Sequence, residues 1–146
     1  MNKTPLNILL ADDDPDDCSL FKEALHDLSV NADLTTVHDG VQLMNFLASG
    51  AGELPTILFL DLNMPRKSGF ECLAEIKSDD KLKQLPVIIF STSFDMEVVH
   101  SLYQKGANYY IQKPGEYAKL KEVIFDAITL AAKNNFKQPD RLQFVL

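Results

Sequence analysis

Polar side chains that can take part in phosphate chemistry stand at the ends of four apolar runs in this sequence. Each run is short and continuous, which is typical of a strand buried on both faces of a parallel sheet. The polar groups are the acids Asp12 and Asp13, the acid Asp61, the hydroxyls Ser91 and Thr92, and the amine Lys113. Since parallel strands present their carboxyl ends at one edge, these groups share a crevice if their strands are neighbours. Each group alone is typical of a helix cap or a solvated strand end, so the combination carries the prediction.

The residue types indicate a particular chemistry for such a crevice. Carboxylates a few Å apart resist ionising together unless a cation joins them. Mg²⁺ is such a cation, because it prefers oxygen ligands. With the cation present, one carboxylate can attack phosphorus as a nucleophile. An ammonium group and a hydroxyl group can then neutralise the remaining oxygens of the transferred phosphoryl group. The set of residues therefore fits the formation of an aspartyl phosphate.

The elements that must position these groups alternate regularly along the chain. Strands are predicted at residues 7–11, 33–37, 57–60, 87–90 and 108–111. Helices are predicted to follow them, with Asp14 as a cap rather than a metal ligand, a capping box at Ser68, and Gly50 and Gly52 closing the second helix. The alternation predicts an α/β fold with a doubly wound parallel sheet of five strands and five helices. The pattern alone leaves the strand order open.

Composition excludes several classes of protein. The chain has 146 residues, 46% of them hydrophobic and 24% charged, as expected for one soluble globular domain. The net charge of −7 argues against a nucleic-acid partner, which needs clustered basic residues. The apolar runs are too short for a membrane helix, and no signal peptide is visible. Cys18 and Cys72 lack metal or redox spacing and are expected to be buried in a reducing cytoplasm.

In combination, five motifs resemble the receiver domain of two-component response regulators. They are Asp12-Asp13, Leu60-Asp61-Leu62-Asn63-Met64-Pro65, Ser91-Thr92, Gly106-Ala107-Asn108-Tyr109-Tyr110, and Lys113-Pro114. The resemblance implies a receiver domain over residues 1–132 with the flavodoxin-like sheet order 2-1-3-4-5, for which a receiver is a standard example. It also implies a C-terminal tail, residues 133–146, that is too short to be a separate output domain.

The resemblance assigns a role to individual residues of this chain. Asp61 is the implied phosphoacceptor, Lys113 and Ser91 assist the transfer, Ser91 and Tyr110 form the switch, and Mg²⁺ is held by Asp12, Asp13, Asp61 and the backbone carbonyl of Asn63. The bond between Lys113 and Pro114 is expected to be cis. Among the departures from the family pattern, Ser91 replaces the more familiar threonine, and Thr92 stands where many receivers have alanine.

The implied function is that of a single-domain response regulator rather than an enzyme acting on other substrates. A sensor histidine kinase or a histidine-phosphotransfer protein donates phosphate to Asp61 in the cytoplasm. The change in charge then alters the face formed by helix 4, strand 5 and helix 5, which binds a downstream protein whose identity the sequence does not give. Stand-alone receivers paired with bacterial phytochromes and hybrid kinases are the most similar sub-family.

Three alternatives remain at this point. A phosphatase or mutase also uses an aspartate nucleophile, but such enzymes place it after the first strand, whereas Asp61 follows the third. A receiver used only as a scaffold would never accept phosphate. The complete set of residues for phosphate acceptance argues against that alternative. The C-terminal tail carries apolar residues, including Phe144, and either folds back onto its own domain or packs across a homodimer.

Overall fold

A five-stranded parallel sheet forms the centre of the protein. The computed structural model describes residues 5–49 and 54–146. The strands are β1 (Leu6–Ala11), β2 (Ala32–Val37), β3 (Ile57–Leu60), β4 (Val87–Ser91) and β5 (Tyr109–Gln112). They lie in the order β2-β1-β3-β4-β5, with every neighbouring pair parallel. The predicted fold class is confirmed, and so is the strand order that the resemblance implied.

Helices cover both faces of the sheet. They are α1 (Pro15–Asp27), α2 (Gly40–Ala48), α3 (Gly69–Ser78), α4 (Met96–Gln104) and α5 (Tyr117–Lys133). The apolar sides of α1 and α5 join one core cluster, and those of α2, α3 and α4 join the other. Because β3 and β4 are buried on both faces, their positions are fixed by packing from two layers. None of the helices within the described residues could cross a membrane.

Local capping explains where two helices near the sheet's carboxyl edge begin. The side chain of Asp14 accepts hydrogen bonds from the backbone N–H groups of Asp16 and Asp17, at 2.8 and 3.2 Å, so it caps α1 as predicted. Ser68 and Glu71 form the predicted capping box at the start of α3. The glycines predicted to close α2, Gly50 and Gly52, lie outside the described residues.

The C-terminal tail folds back onto its own domain in this structure. It contains a short 3₁₀ helix (Arg141–Gln143), which the sequence did not predict. Val145 then forms an isolated parallel bridge with Tyr110 of β5, and Phe144 is completely buried. The tail therefore lies along the outer edge of the sheet beside its last strand.

Candidate functional site

The backbone of the sheet places the predicted site residues directly beyond the ends of their strands. The N–H of Asp12 donates to the carbonyl of Val37 at 3.0 Å, and that of Asp61 donates to Ala11 at 2.9 Å. The N–H of Lys113 donates to the carbonyl of Ser91 at 2.7 Å. The strand pairing thus continues one residue past β1, β3 and β5, and it aligns the three side chains at one edge.

Three of the predicted residues form an acidic cluster at this edge. Ligand oxygens of Asp12, Asp13 and Asp61 all lie within 4.8 Å of one another. Asp12 is fully buried, Asp61 is 6% exposed, and Asp13 lies at the surface. The Oδ2 atom of Asp12 is buried, and the ammonium group of Lys113 lies 2.7 Å from it. A hard divalent cation with oxygen ligands fits this donor set.

The electrostatics of the cluster also favour a cation. Burial raises the pKa of Asp61 to about 6, and the neighbouring carboxylate of Asp12 contributes in the same direction. Burial likewise raises the pKa of Asp12 above its ordinary value. Lys113 opposes both shifts but does not cancel them. Ionising both acids is therefore costly in the metal-free protein, and a bound cation would relieve that cost.

Lys113 lies among carboxylates, and its side chain is only 9% exposed. Its Nζ is 2.7 Å from Oδ2 of Asp12, 2.9 Å from Oδ2 of Asp17 and 3.8 Å from Oδ2 of Asp61. Burial alone would lower the pKa of Lys113, but the hydrogen bonds to Asp12 and Asp17 hold it above its ordinary value. The side chain is therefore an ammonium group within a short movement of the candidate acceptor.

Asp17 is a member of the site that sequence reasoning missed. The sequence placed it in the first turn of α1, where the helix dipole favours an acid. The structure confirms that position and shows in addition that its carboxylate accepts a hydrogen bond from Lys113. The available signal was the location of this first turn, because α1 begins at the same sheet edge that carries Asp12.

Ser91 and Tyr110 are joined through a residue that the sequence did not single out. Ser91 is buried at the end of β4, and its hydroxyl lies 3.1 Å from the hydroxyl of Ser93 and accepts from the Ser93 N–H at 3.3 Å. The phenol of Tyr110 donates to the Ser93 carbonyl, and its ring packs edge-on against Phe94 at 5.8 Å. Thr92, which follows Ser91, is exposed.

Two predictions concern the loops beside the acceptor. The backbone of Asn63 forms a hydrogen bond that lowers the pKa of Asp61, so this residue contacts the predicted acceptor, and its carbonyl as a metal ligand stays a prediction. The expected cis bond before Pro114 is wrong, because no peptide bond within the described residues, including the one between Lys113 and Pro114, is cis. The trans form is the intrinsically preferred isomer of such bonds, by about 0.5–1 kcal/mol.

Comparison with known proteins decides the family. A model described as the response regulator receiver domain matches residues 8–125. The chain belongs to this family. The response regulator Rcp1 of Synechocystis sp. is 37% identical to it over 114 residues, which cover 75% of this chain and 77% of Rcp1. Receiver domains are signalling modules of two-component systems and interact with histidine kinases or phosphotransfer proteins.

Solved structures of receivers agree with this assignment. The phosphorylated cyanobacterial phytochrome response regulator RcpA matches with a TM-score of 0.79 at 34% identity, covering 85% of this chain and 91% of RcpA. The Mn²⁺-bound form of Rcp1 matches with a TM-score of 0.78 at 32% identity, covering 86% and 93% of the two chains. One of these relatives thus carries a phosphoryl group, and the other binds a divalent metal.

Proposed function

We propose that this receiver is a phosphorylation-controlled response regulator in which Asp61 accepts a phosphoryl group from a sensor histidine kinase or a histidine-phosphotransfer protein. The observation that carries the proposal is the convergence of Asp12, Asp13, Asp61 and Lys113 at one edge of the sheet. The phosphorylated state of RcpA and the metal-bound state of Rcp1 support it. The compartment we propose is the cytoplasm.

The chain's own groups supply the positioning that phosphoryl transfer needs. A carboxylate oxygen of Asp61 attacks phosphorus as the bond to the donor histidine breaks, and the ammonium of Lys113 shifts from its acidic partners to a phosphoryl oxygen. The hydroxyl of Ser91 turns to donate to another oxygen. Mg²⁺ would be held by Asp12, Asp13, Asp61 and the carbonyl of Asn63, and it would neutralise negative charge on the transferred group.

The output we propose follows from the link between Ser91 and Tyr110. When Ser91 turns towards the phosphoryl group, it leaves Ser93, whose carbonyl holds the Tyr110 phenol. The packing around Tyr110 then shifts between two states, and the face of α4, β5 and α5 changes with it. A downstream protein, or a second copy of this chain, reads that change.

The surface beside the pocket fits a docking protein. Leu20 on α1 is 41% exposed, although it is a large apolar side chain, and it lies on the helix that begins at the acidic edge. We propose that the phosphodonor contacts this helix, because it must approach Asp61 from the open side of the pocket. The likeness to RcpA, described as a phytochrome response regulator, makes a phytochrome-type kinase the donor to test first.

Intact-mass measurement tests the acceptor. Incubation with acetyl phosphate and Mg²⁺ is expected to add the mass of one phosphoryl group to the wild type and to Asp33→Asn, a control acid that is exposed on β2. Asp61→Asn is expected to gain nothing. Equal gain in Asp61→Asn would place the acceptor elsewhere, and no gain in any form, with no binding of beryllofluoride, would favour the scaffold alternative.

A further inference from the structure

The C-terminal tail closes the free edge of the sheet. β5 is the last strand in the order, so none of the other four named strands pairs with its outer side. The N–H of Tyr110 donates to the carbonyl of Phe144, and the N–H of Leu146 donates to the carbonyl of Tyr110, both at 2.9 Å. The end of the tail therefore acts as a very short sixth strand, parallel to β5.

Several side-chain contacts hold the rest of the tail against α4 and β5. The hydroxyl of Tyr103 on α4 donates to the carbonyl of Pro139 at 2.8 Å, and Nε2 of Gln138 donates to the carbonyls of Tyr103 and Ala107 at 2.6 and 2.8 Å. The ring of Phe144 packs against Tyr103 with centroids 5.2 Å apart. The tail thus occupies part of the surface that we assign to partner binding.

The anchor of the tail is linked by direct contacts to Ser91, the predicted switch hydroxyl at the end of β4. Ser91 contacts Ser93, the carbonyl of Ser93 accepts from Tyr110, and Tyr110 contacts Phe144 through its backbone and through its ring, at a centroid distance of 6.4 Å. A phosphoryl group on Asp61 would compete for the hydroxyl of Ser91. The tail would then lose part of the support that the resting arrangement of Ser93 and Tyr110 gives it.

We propose that the tail is an intramolecular cover for the edge of β5, that phosphorylation of Asp61 weakens its hold, and that the downstream partner then pairs with β5 in its place. The partner chemistry is given by the tail itself: an extended apolar segment with an aromatic side chain that fills the site of Phe144. Strand addition of this kind combines backbone hydrogen bonds with one side-chain pocket. The inference rests on the proposed function, because it needs the acceptor role of Asp61.

Hydrogen exchange tests the release of the cover. In full-length protein with Mg²⁺, beryllofluoride is expected to speed exchange at the amides of Tyr110 and Leu146 by about tenfold, while the amide of Leu58 in β3 is unchanged. Phe144→Ala is expected to give fast exchange at Leu146 without the phosphoryl mimic. Leu142→Ala removes an equally apolar side chain that is 97% exposed, and it should behave as the wild type.

The outcomes separate the two proposals. If beryllofluoride does not bind, the proposed function fails. If it binds and the amides of Tyr110 and Leu146 keep their resting exchange rates, only the inference fails. An Asp61→Asn variant that shows the same acceleration on addition of beryllofluoride would also overturn the link between the acceptor and the tail.

A synthetic peptide tests the kind of partner. Its sequence is that of residues 138–146, and a matched peptide carries alanine at the position of Phe144. The first peptide is expected to bind the Phe144→Ala protein at least about tenfold more tightly than the wild type, whose own tail competes for the edge. Equal binding to both proteins, or equal binding of both peptides, would overturn strand addition at this edge.

Discussion

The acidic pocket and the covered edge of β5 are built on opposite principles. The pocket brings together carboxylates that resist ionising side by side, and burial holds the pKa of Asp61 at about 6. The edge of β5 is made from neutral backbone hydrogen bonds and packed rings. The acidic pocket is therefore far from its electrostatic optimum, whereas the hydrogen-bond donors and acceptors at the edge of β5 are paired with one another.

In the proposed mechanism, this difference gives each region a distinct part in signalling. A pocket with unrelieved charge responds strongly to a cation or to a phosphoryl group, because either one changes its energy by several kcal/mol. The edge of β5, whose hydrogen bonds are satisfied, changes only if one of the contacts that hold the tail is lost. In the mechanism we propose, the contacts from Ser91 through Ser93 to Tyr110 let the pocket act on the edge of β5.

Removing the ammonium group of Lys113 from the pocket should cause the largest change in stability. Lys113→Ala is expected to lower the free energy of unfolding by about 3–5 kcal/mol in EDTA, because Asp12 loses the only cation that pairs with it among the described residues. Urea unfolding measures the change, and Mg²⁺ should restore part of the loss. Lys119→Ala, in an exposed pair with Glu122, is the control and should lose under about 1 kcal/mol. Equal losses of stability in Lys113→Ala and Lys119→Ala would show that the ammonium of Lys113 does not stabilise the acidic pocket more than an exposed ion pair would.

Neutralising Asp61, the proposed acceptor, should change the free energy of unfolding by a smaller amount and in the opposite direction. The folded-state pKa of Asp61 is about 6, above the ordinary value of 3.8, so the stability that its proton contributes is present below pH 3.8 and lost as the pH rises through 6. Asparagine does not ionise, so Asp61→Asn does not lose stability as the pH rises. In EDTA the variant is expected to match the wild type near pH 4 and to exceed it by about 2–3 kcal/mol at pH 8. Parallel stability curves for the two proteins would contradict the raised pKa.

Weakening the covered edge should give the smallest effect. Tyr103→Phe keeps the ring that packs on Phe144 but removes the hydrogen bond to Pro139, which is worth about 1 kcal/mol. Exchange at the Leu146 amide should rise by about fivefold, with no change in the response to Mg²⁺. Tyr117→Phe removes a hydrogen bond to Asp27 instead and should leave the tail unaffected. A global loss of stability in Tyr103→Phe would mean that the tail does not move as a separate unit.

The sequence predicted the pocket better than the edge, for a physical reason. Residue type, position at a strand end and the strand order implied by the family resemblance are together enough to bring Asp12, Asp61 and Lys113 to one edge, because the parallel sheet aligns strand ends. Asp17 and Ser93 were missed since their contacts depend on side-chain direction within a turn. The trans bond before Pro114 was also outside reach, because the two isomers lie so close in energy.

The position of the C-terminal tail was even less predictable from the sequence. The apolar residues at the end of the tail, including Phe144, predict burial somewhere, but both folding back and packing across a dimer satisfy that requirement. Two of the contacts that decide between them are backbone hydrogen bonds with Tyr110, which depend little on residue type. The others join side chains that lie far apart in the sequence, such as Tyr103 and Phe144. Pairing at a sheet edge therefore has to be determined from coordinates.

The short strand supplied by the tail has one more consequence, which concerns solubility. An unpaired strand edge is a template for association with other chains, and β5 offers the apolar run Tyr109, Tyr110 and Ile111. At the opposite side of the sheet, β2 alternates exposed and half-buried positions, which makes a poorer template. If signalling exposes the edge of β5, the activated protein is prone to aggregate until a partner binds. A receiver built this way is safest when its activated state is brief.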